Sequence, residues 1–326
     1  PTDGTSNRTI KIGGPWKGPN GTDGFPFTVL TSACNNGTDL VPRTNFKNNA
    51  TYSVTAALTA GNSTLAWEGY ATTVGDGGRA TIDGGTGSAY NLLAVSGNQQ
   101  YFTNLRFNAN GNSGGSGTTH GVNVTGARCV FRWCVCSGMR GNGFHIATPA
   151  HMTECEAWDN NKANSTGKGG FSIIASGSIL TRCYSHHNAG SNGNGFYLDT
   201  TVACVGCISH TNGKDGFFAN ADQHLALINC DAYNNGGSGL NSQGGSGTLN
   251  FNVQNCNFVK NGRYGIECGS GSRYGLILNC AFGSGTEANT LGEISTTLFY
   301  VYISGNITYP SNANPWVDPA NGDFRI

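Results

Sequence analysis

Aromatic and ionisable residues recur at fixed places after four successive cysteines, Cys155, Cys183, Cys207 and Cys230. One and three residues after these cysteines stand Glu156 and Trp158, Tyr184 and His186, Ile208 and His210, and Asp231 and Tyr233. Rings on a flat, rigid surface stack against the apolar faces of sugars, while neighbouring polar groups bind the hydroxyls. We therefore expect a ligand-binding face made by Trp158, His186, His210, Tyr233, Tyr184 and Asp231. Contact with another subunit and ordinary sheet surface remain alternatives.

Catalytic chemistry is less well supported by the same residues. Glycoside hydrolysis needs two carboxyl groups about 5–9.5 Å apart. Glu156 and Asp231 stand three repeats apart, a separation of about 14 Å if each repeat adds about 4.8 Å. Glu156 with Tyr184, and Asp159 with His187, are weaker candidates for acid–base pairs. The sequence therefore favours a protein that is not an enzyme, with Glu156, Asp159 and His187 as its weak catalytic candidates.

The cysteines mark a repeat that must position all of these residues. Each copy contains a cysteine, a polar stretch with an asparagine, and then a glycine followed by an apolar residue. The cysteines at the repeat position, from Cys134 to Cys280, are 21, 28, 24, 23, 26 and 24 residues apart. A period of 20–30 residues is typical of a solenoid. The six full copies pair Cys134 with Gly143, Cys155 with Gly170, Cys183 with Gly195, Cys207 with Gly216, Cys230 with Gly239, and Cys256 with Gly265.

Short strand-like runs separated by Gly and Asn, with no helical period, predict an all-β parallel solenoid of about eleven coils. The Cys position, the Asn turn and the Gly-Phe strand start resemble the right-handed parallel β-helix proteins, the group that contains pectate-lyase-like enzymes and phage tailspikes. We expect residues 1–50 to form a non-repeating cap or docking segment, residues 51–305 the β-helix, and residues 306–326 a tail.

Alternation along the strands predicts which residues face inward. Each cysteine and the residue two places later should be buried, as should the Phe of each Gly-Phe pair. Asparagines five places after the cysteine position should stack and bond to one another, and they should also provide the left-handed bend of the turn. Met139 interrupts this series, whose members are Asn110, Asn160, Asn188, Asn212, Asn235 and Asn261.

Composition restricts the possible partners. The 18 basic and 18 acidic residues give no net charge, which argues against electrostatic binding to nucleic acid or to anionic membranes. The sequence has no 18-residue apolar run, so insertion into a membrane is not expected. The twelve cysteines sit mostly at one repeat position, so we expect buried free thiols. No Cys/His pattern has zinc spacing, and neither a metal site nor a cofactor is predicted. The polar start at Pro1 lacks the pattern of a signal peptide, which favours synthesis in the cytosol.

The resemblance implies a function only in outline, because this fold has catalytic and non-catalytic members. The paired acids of the β-helix polygalacturonases and the acidic calcium cluster of the pectate lyases are not found, and the arginines, Arg106 among them, are not expected to converge with acids in one patch. We therefore expect a structural or surface-recognition protein resembling a phage tailspike or other virion β-helix. Its partners would be cell-surface polysaccharide or other virion or surface proteins, and it would form a homo-oligomer, with a trimer favoured. A polysaccharide lyase or glycoside hydrolase, and a secreted adhesin, are the alternatives.

Overall fold

The computed structural model of the chain is a right-handed parallel β-helix. The structure describes residues 9–12, 43–48, 51–61, 65–73, 75–85, 90–109, 119–220, 224–242, 249–269, 273–295 and 301–309. Every strand in the described ranges pairs in parallel with the strand one turn before it or one turn after it. A turn of the solenoid therefore contains one strand from each of the three sheets. The predicted fold class is confirmed.

Within the described ranges the first sheet has twelve strands, the second eleven and the third ten. The first sheet contains β1 (Thr9–Ile12), β2 (Arg43–Lys47), β5 (Ala66–Tyr70), β8 (Tyr101–Thr103), β11 (Cys129–Arg132), β14 (Ala150–Thr153), β17 (Ser178–Thr181), β20 (Val202–Val205), β23 (His224–Ile228), β26 (Leu249–Gln254), β29 (Arg273–Leu278) and β32 (Val301–Ser304).

The second and third sheets follow the first in every turn. The second contains β3 (Thr51–Ser53), β6 (Ala80–Asp83), β9 (Leu105–Asn108), β12 (Val135–Ser137), β15 (Glu156–Trp158), β18 (Tyr184–His186), β21 (Ile208–His210), β24 (Asp231–Tyr233), β27 (Asn257–Val259), β30 (Ala281–Phe282) and β33 (Ile307–Thr308). The third contains β4 (Leu58–Ala60), β7 (Leu93–Val95), β10 (Val122–Val124), β13 (Phe144–Ile146), β16 (Lys168–Ile173), β19 (Gly193–Leu198), β22 (Phe217–Ala219), β25 (Leu240–Ser242), β28 (Tyr264–Cys268) and β31 (Gly292–Ile294). A 3-10 helix spans Gly285–Glu287.

The first sheet begins before the boundary predicted at residue 50. Strand β2 pairs with β5, and β1 pairs with β2. The remainder of the predicted cap and most of the predicted tail lie outside the described residues. Among the residues that the structure does describe, no helix is long and apolar enough to cross a membrane.

The core is built from side chains that repeat from turn to turn. Phe144, Phe171, Phe196 and Phe217 stack with ring centroids 4.8–5.1 Å apart, close to the spacing of the strands that carry them. The eleven described cysteines are all buried and free, which confirms the prediction for them; Cys34 lies outside the described residues. Burial raises the pKa of the Cys136 thiol well above its usual range, so it behaves as a small apolar side chain.

The predicted asparagine series forms a continuous ladder of side-chain amides. From Asn160 each Nδ2 donates to the Oδ1 of the next asparagine, at 3.2, 2.7, 2.9, 3.0 and 2.9 Å. The last acceptor is Asn289, which the sequence series missed because it follows the 3-10 helix. At the other end the Met139 amide donates to Asn160 Oδ1, and Asn110 lies outside the described residues.

The ladder asparagines do not provide the left-handed bend, and that prediction was wrong. The backbone is left-handed one residue earlier, where side chains point outward and are not part of the ladder. A second left-handed position precedes the cysteine of each turn. The residues at the first position are Gly138, Asp159, His187, Thr211, Asn234 and Lys260.

Candidate functional site

The outer face of the second sheet brings together the residues that the sequence selected. Strand register aligns Trp158, His186, His210 and Tyr233 on consecutive turns, and we call this set the aromatic column. A second column beside it contains Glu156, Tyr184, Ile208 and Asp231. The alternation read from the cysteines therefore placed both columns correctly.

The aromatic column is not uniformly accessible. Trp158 and His186 are half-buried, whereas His210 is 2% and Tyr233 5% exposed. Tyr233 packs with Val259 and with Tyr309, which directly follows β33, the last described strand of the same sheet. Outward alternation shows which side chains leave the core, but it does not decide how exposed they are.

The rings of the column cover one another. His186 lies between Trp158 and His210, with centroids 6.2 and 5.0 Å away and planes within 6° of parallel. Both faces of His186 are therefore occupied. Trp158 is the end of this stack, because the next residue in the column is Ser137, which carries no ring. Trp158 therefore has a ring face that no other ring of the aromatic column covers.

Glu156 is held as a carboxylate by its neighbours. Its Oε1 lies 3.0 Å from His186 Nε2, and this hydrogen bond lowers the pKa of Glu156. The positive charges of Arg79 and Arg106 act in the same direction. Arg106 lies two turns from Glu156 in the same column of the second sheet, and its charge reaches the carboxylate from there.

Tyr184 is the cross-strand neighbour of Glu156 on the next turn. Its hydroxyl is hydrogen-bonded to His210 Nε2. Burial, reinforced by the charge of Glu156, raises the pKa of Tyr184, and burial lowers the pKa of His210 to about 3. At neutral pH the pair is therefore an uncharged phenol and an uncharged imidazole.

Asp159 and His187 occupy the same left-handed place on successive turns. Asp159 forms an ion pair with Lys162, and its charge also reaches His187, where it opposes the lowering of the pKa by burial. The Nδ1 of His187 lies 2.8 Å from His186 Nδ1. His187 is thus joined to the aromatic column by this contact.

Asp231, the sixth predicted ligand residue, is fixed by a hydrogen bond and by burial. Asn257 Nδ2 donates to its Oδ1, and burial raises its pKa to about 7. This environment suits a carboxyl group that is protonated for part of the physiological range.

Sequence reasoning also missed a pair of acidic residues at the third sheet, Asp215 and Glu267. Ser238 donates its backbone N–H to Asp215 and its hydroxyl to Glu267, at 2.8 and 2.6 Å. Asn241 Nδ2 donates to Asp215, and Arg263 pairs with Glu267. Asp215 was missed because it lies in a turn before β22. Both acids are buried, at 1% and 8% exposure, which assigns them to holding this turn.

The family of the chain is evident from its repeat region. Residues 120–282, half of the chain, match the family described as right handed beta helix region. No curated protein matches the chain.

Three solved structures are similar over most of the chain. Pectate lyase Pel9A is 17% identical, with 92% of this chain and 80% of that chain covered and a TM-score of 0.66. The A-module of the mannuronan C-5 epimerase AlgE4 from Azotobacter vinelandii is 15% identical, with coverage of 82% and 80% and a TM-score of 0.64. The tailspike protein of Acinetobacter phage vB_ApiP_P1 is 15% identical, with coverage of 91% and 62% and a TM-score of 0.59.

At these identities the three structures establish a common fold and nothing about shared residues. Together with the family match and the three parallel sheets, they lead to one conclusion. The chain belongs to the right-handed β-helix family.

Proposed function

We propose that this protein is a non-catalytic surface-recognition protein that binds polysaccharide along the outer face of its second sheet. The observation that carries the proposal is the accessible half of that face, where Trp158 ends a stack of rings beside the ionised Glu156. The names of the similar structures support the polysaccharide part of the proposal, since a pectate lyase, a mannuronan epimerase and a tailspike share this fold.

The chemistry of the face suits a sugar chain. The outer face of Trp158 offers an apolar platform for one pyranose ring. Glu156 accepts hydrogen bonds from hydroxyl groups, and the exposed His187 ring adds a further polar contact. Tyr309 packs on Tyr233, and Asp231 is hydrogen-bonded to Asn257, so we place the bound chain nearer to Trp158 than to these residues.

Binding is tested with labelled bacterial capsular polysaccharides, alginate and polygalacturonate. We expect one or more of them to bind the wild-type protein and to bind Trp158→Ala at least tenfold more weakly. The matched control is Trp133→Asn. Trp133 is an exposed tryptophan with a left-handed backbone, and asparagine occupies the equivalent position on later turns. Equal losses in the two variants would contradict the proposal.

A polysaccharide lyase or glycoside hydrolase is the second candidate, in which catalytic groups come from one or two subunits. The hydrogen-bonded pairs Glu156–His186 and Tyr184–His210 favour it, because such pairs move protons in acid–base catalysis. Release of oligosaccharide that Glu156→Gln abolishes would establish this alternative and end the non-catalytic proposal. Asp159→Asn tests the remaining predicted acid in the same assay.

We also propose that the chain assembles as a homo-oligomer, with a trimer favoured, through the outer face of the first sheet. Aligned side chains there are uncharged on consecutive turns, and several are exposed apolar residues. They include Ile179, Leu276 and Tyr302, at 39, 38 and 62% exposure. Neighbouring side chains enclose a groove of about 410 Å³. Light scattering should give an assembly mass that is a multiple of the 33.9 kDa chain mass. The Leu276→Asp substitution should reduce the mass of the assembly.

The place proposed for the protein is a virion or another extracellular surface, with other virion or surface proteins as additional partners. A secreted adhesin is the remaining alternative. The two differ in the expected state of the cysteines, because secreted proteins form disulfides. Buried, free thiols in the described residues favour a chain folded in a reducing compartment.

A further inference from the structure

Three imidazole rings from two consecutive turns meet at the accessible edge of the second sheet. His186 ends β18, His187 takes the left-handed position after it, and His210 ends β21 on the next turn. One nitrogen from each ring lies within 4.8 Å of the others. We call these three residues the histidine cluster. Their spacing in the sequence, one adjacent pair and a third residue 23 positions on, is not that of a known zinc motif, and the solenoid alone brings them together.

We propose that the histidine cluster binds one divalent metal ion of the Zn²⁺ class through one nitrogen of each ring. The Nδ1 atoms of His186 and His187 are 2.8 Å apart. Two imidazole nitrogens bound to tetrahedral Zn²⁺, each at about 2.05 Å, lie about 3.3 Å apart. The pair is therefore within a small side-chain movement of chelating geometry.

Two rings of the cluster, His186 and His210, are already oriented by a hydrogen bond to their Nε2 atom. His186 Nε2 lies 3.0 Å from the Glu156 carboxylate, so this nitrogen carries the proton and Nδ1 presents its lone pair. Metal-binding histidines commonly donate their other nitrogen to a carboxylate in this way, since the carboxylate fixes the ring and increases its basicity. On the other side, His210 Nε2 is bonded to the Tyr184 hydroxyl, which leaves Nδ1 as its ligand atom.

His210 must move to complete the site. Its ring is within 4° of parallel to that of His186, and a metal ion in the plane of one ring lies outside the plane of the other. A rotation of His210 about its Cβ–Cγ bond corrects this. The 3.0 Å contact between its Nδ1 and Thr211 Oγ1 is then lost, and the Tyr184 hydroxyl must move with Nε2 to keep its hydrogen bond. The proton held between the Nδ1 atoms of His186 and His187 belongs to His187. When the metal binds, His187 releases this proton from Nδ1 and takes up one from solvent at Nε2, so the ring stays neutral.

The ligand set determines the class of metal. Three imidazole nitrogens suit Zn²⁺, Ni²⁺ or Cu²⁺, whereas Ca²⁺ and Mg²⁺ require oxygen ligands. His187 is exposed, so a fourth coordination position faces solvent and is filled by water. The site shares His186 and His210 with the proposed glycan face, but it does not depend on glycan binding, and metal alone tests it.

Calorimetric titration of the chelator-treated protein with ZnCl₂ provides the test. We expect one Zn²⁺ per chain, and binding to His187→Asn at least tenfold weaker, because even the loss of a residue that only orients a ligand costs about 10–100-fold. Asparagine keeps the left-handed backbone, as Asn234 does at this position two turns later. The control His224→Asn removes an exposed histidine on the first sheet and should bind Zn²⁺ like the wild type.

Three results would overturn the proposal. They are no saturable Zn²⁺ binding by the wild-type protein, equal binding by His187→Asn, and equally tight binding of CaCl₂. Circular dichroism of each variant shows whether it is folded. A folded Glu156→Gln variant with about tenfold weaker Zn²⁺ binding would support the role of the carboxylate, and unchanged binding would contradict it.

Discussion

Two adjacent asparagines, Asn234 and Asn235, have opposite roles, and substitution separates them. Asn235 is 2% exposed and makes four ladder contacts. Its Nδ2 donates to Asn261 Oδ1 and to the Ser209 carbonyl, both at 3.0 Å, and its Oδ1 accepts from the Asn212 backbone and side chain at 3.1 and 2.9 Å. Asn234 is exposed, and its distinguishing feature is a left-handed backbone with φ of 51°.

Asn235→Ala removes all four contacts and leaves the buried Asn212 N–H without its side-chain acceptor. A buried group that loses its partner costs about 1–3 kcal/mol, and the other three partners each lose one of several contacts. We therefore expect the free energy of unfolding to fall by about 3 kcal/mol. Asn234→Gly should change it by less than about 0.5 kcal/mol, since glycine adopts a left-handed backbone without strain.

Urea denaturation followed by circular dichroism measures both variants against the wild type. The denaturation midpoint of Asn235→Ala should fall clearly, and that of Asn234→Gly should stay within error. Similar midpoints for Asn235→Ala and the wild type would refute the ladder as a stabilising element. A large loss in Asn234→Gly would show that its side chain has a role that we have not identified.

Three further predictions concern the core and the carboxyl group of Asp231. Phe196→Ala should lower the free energy of unfolding by about 3–5 kcal/mol, because Phe196 is fully buried between two stacked rings; a loss below about 1 kcal/mol would contradict this. The described cysteines should resist a thiol reagent in the native protein and react in denaturant without reductant, and few reactive thiols would contradict the free-thiol core. The folded state holds a proton on Asp231 up to about pH 7, whereas the unfolded chain releases it near pH 3.8, so this group makes stability fall as pH rises between these values. Asp231→Asn should therefore lose less stability from pH 5 to pH 8 than the wild type in urea denaturation, and equal slopes would refute the raised pKa.

Much of the fold follows from the sequence because a solenoid repeats its local rules. The cysteine spacing defined the turns, and period-2 alternation then identified the buried side chains, such as Phe107 and Phe258. Two details were beyond this reasoning. The left-handed residue is one place before the ladder asparagine, which a repeat pattern does not reveal, and Asn289 is displaced by a local 3-10 helix.

The sequence predicted which side chains of the candidate site align in columns, but it did not predict the hydrogen bonds between them. Register aligned Glu156 with Tyr184, yet each bonds to a histidine in the other column. Side-chain rotamers decide such partners, and they depend on the packing of whole rings. Tyr233 packs against Tyr309, which follows the last strand of the same sheet, three turns and 76 residues later. Alternation within one strand carries no information about that contact.

The measurement that tests the central claim most directly is polysaccharide binding to the Trp158→Ala and Trp133→Asn variants, compared with the wild type by calorimetry. If the outer face of the second sheet is the recognition surface, Trp158→Ala loses affinity at least tenfold while Trp133→Asn, whose tryptophan lies at the turn between the first and second sheets, binds as the wild type does. Unchanged affinity in a folded Trp158→Ala variant would contradict the claim and move the search to another face of the solenoid.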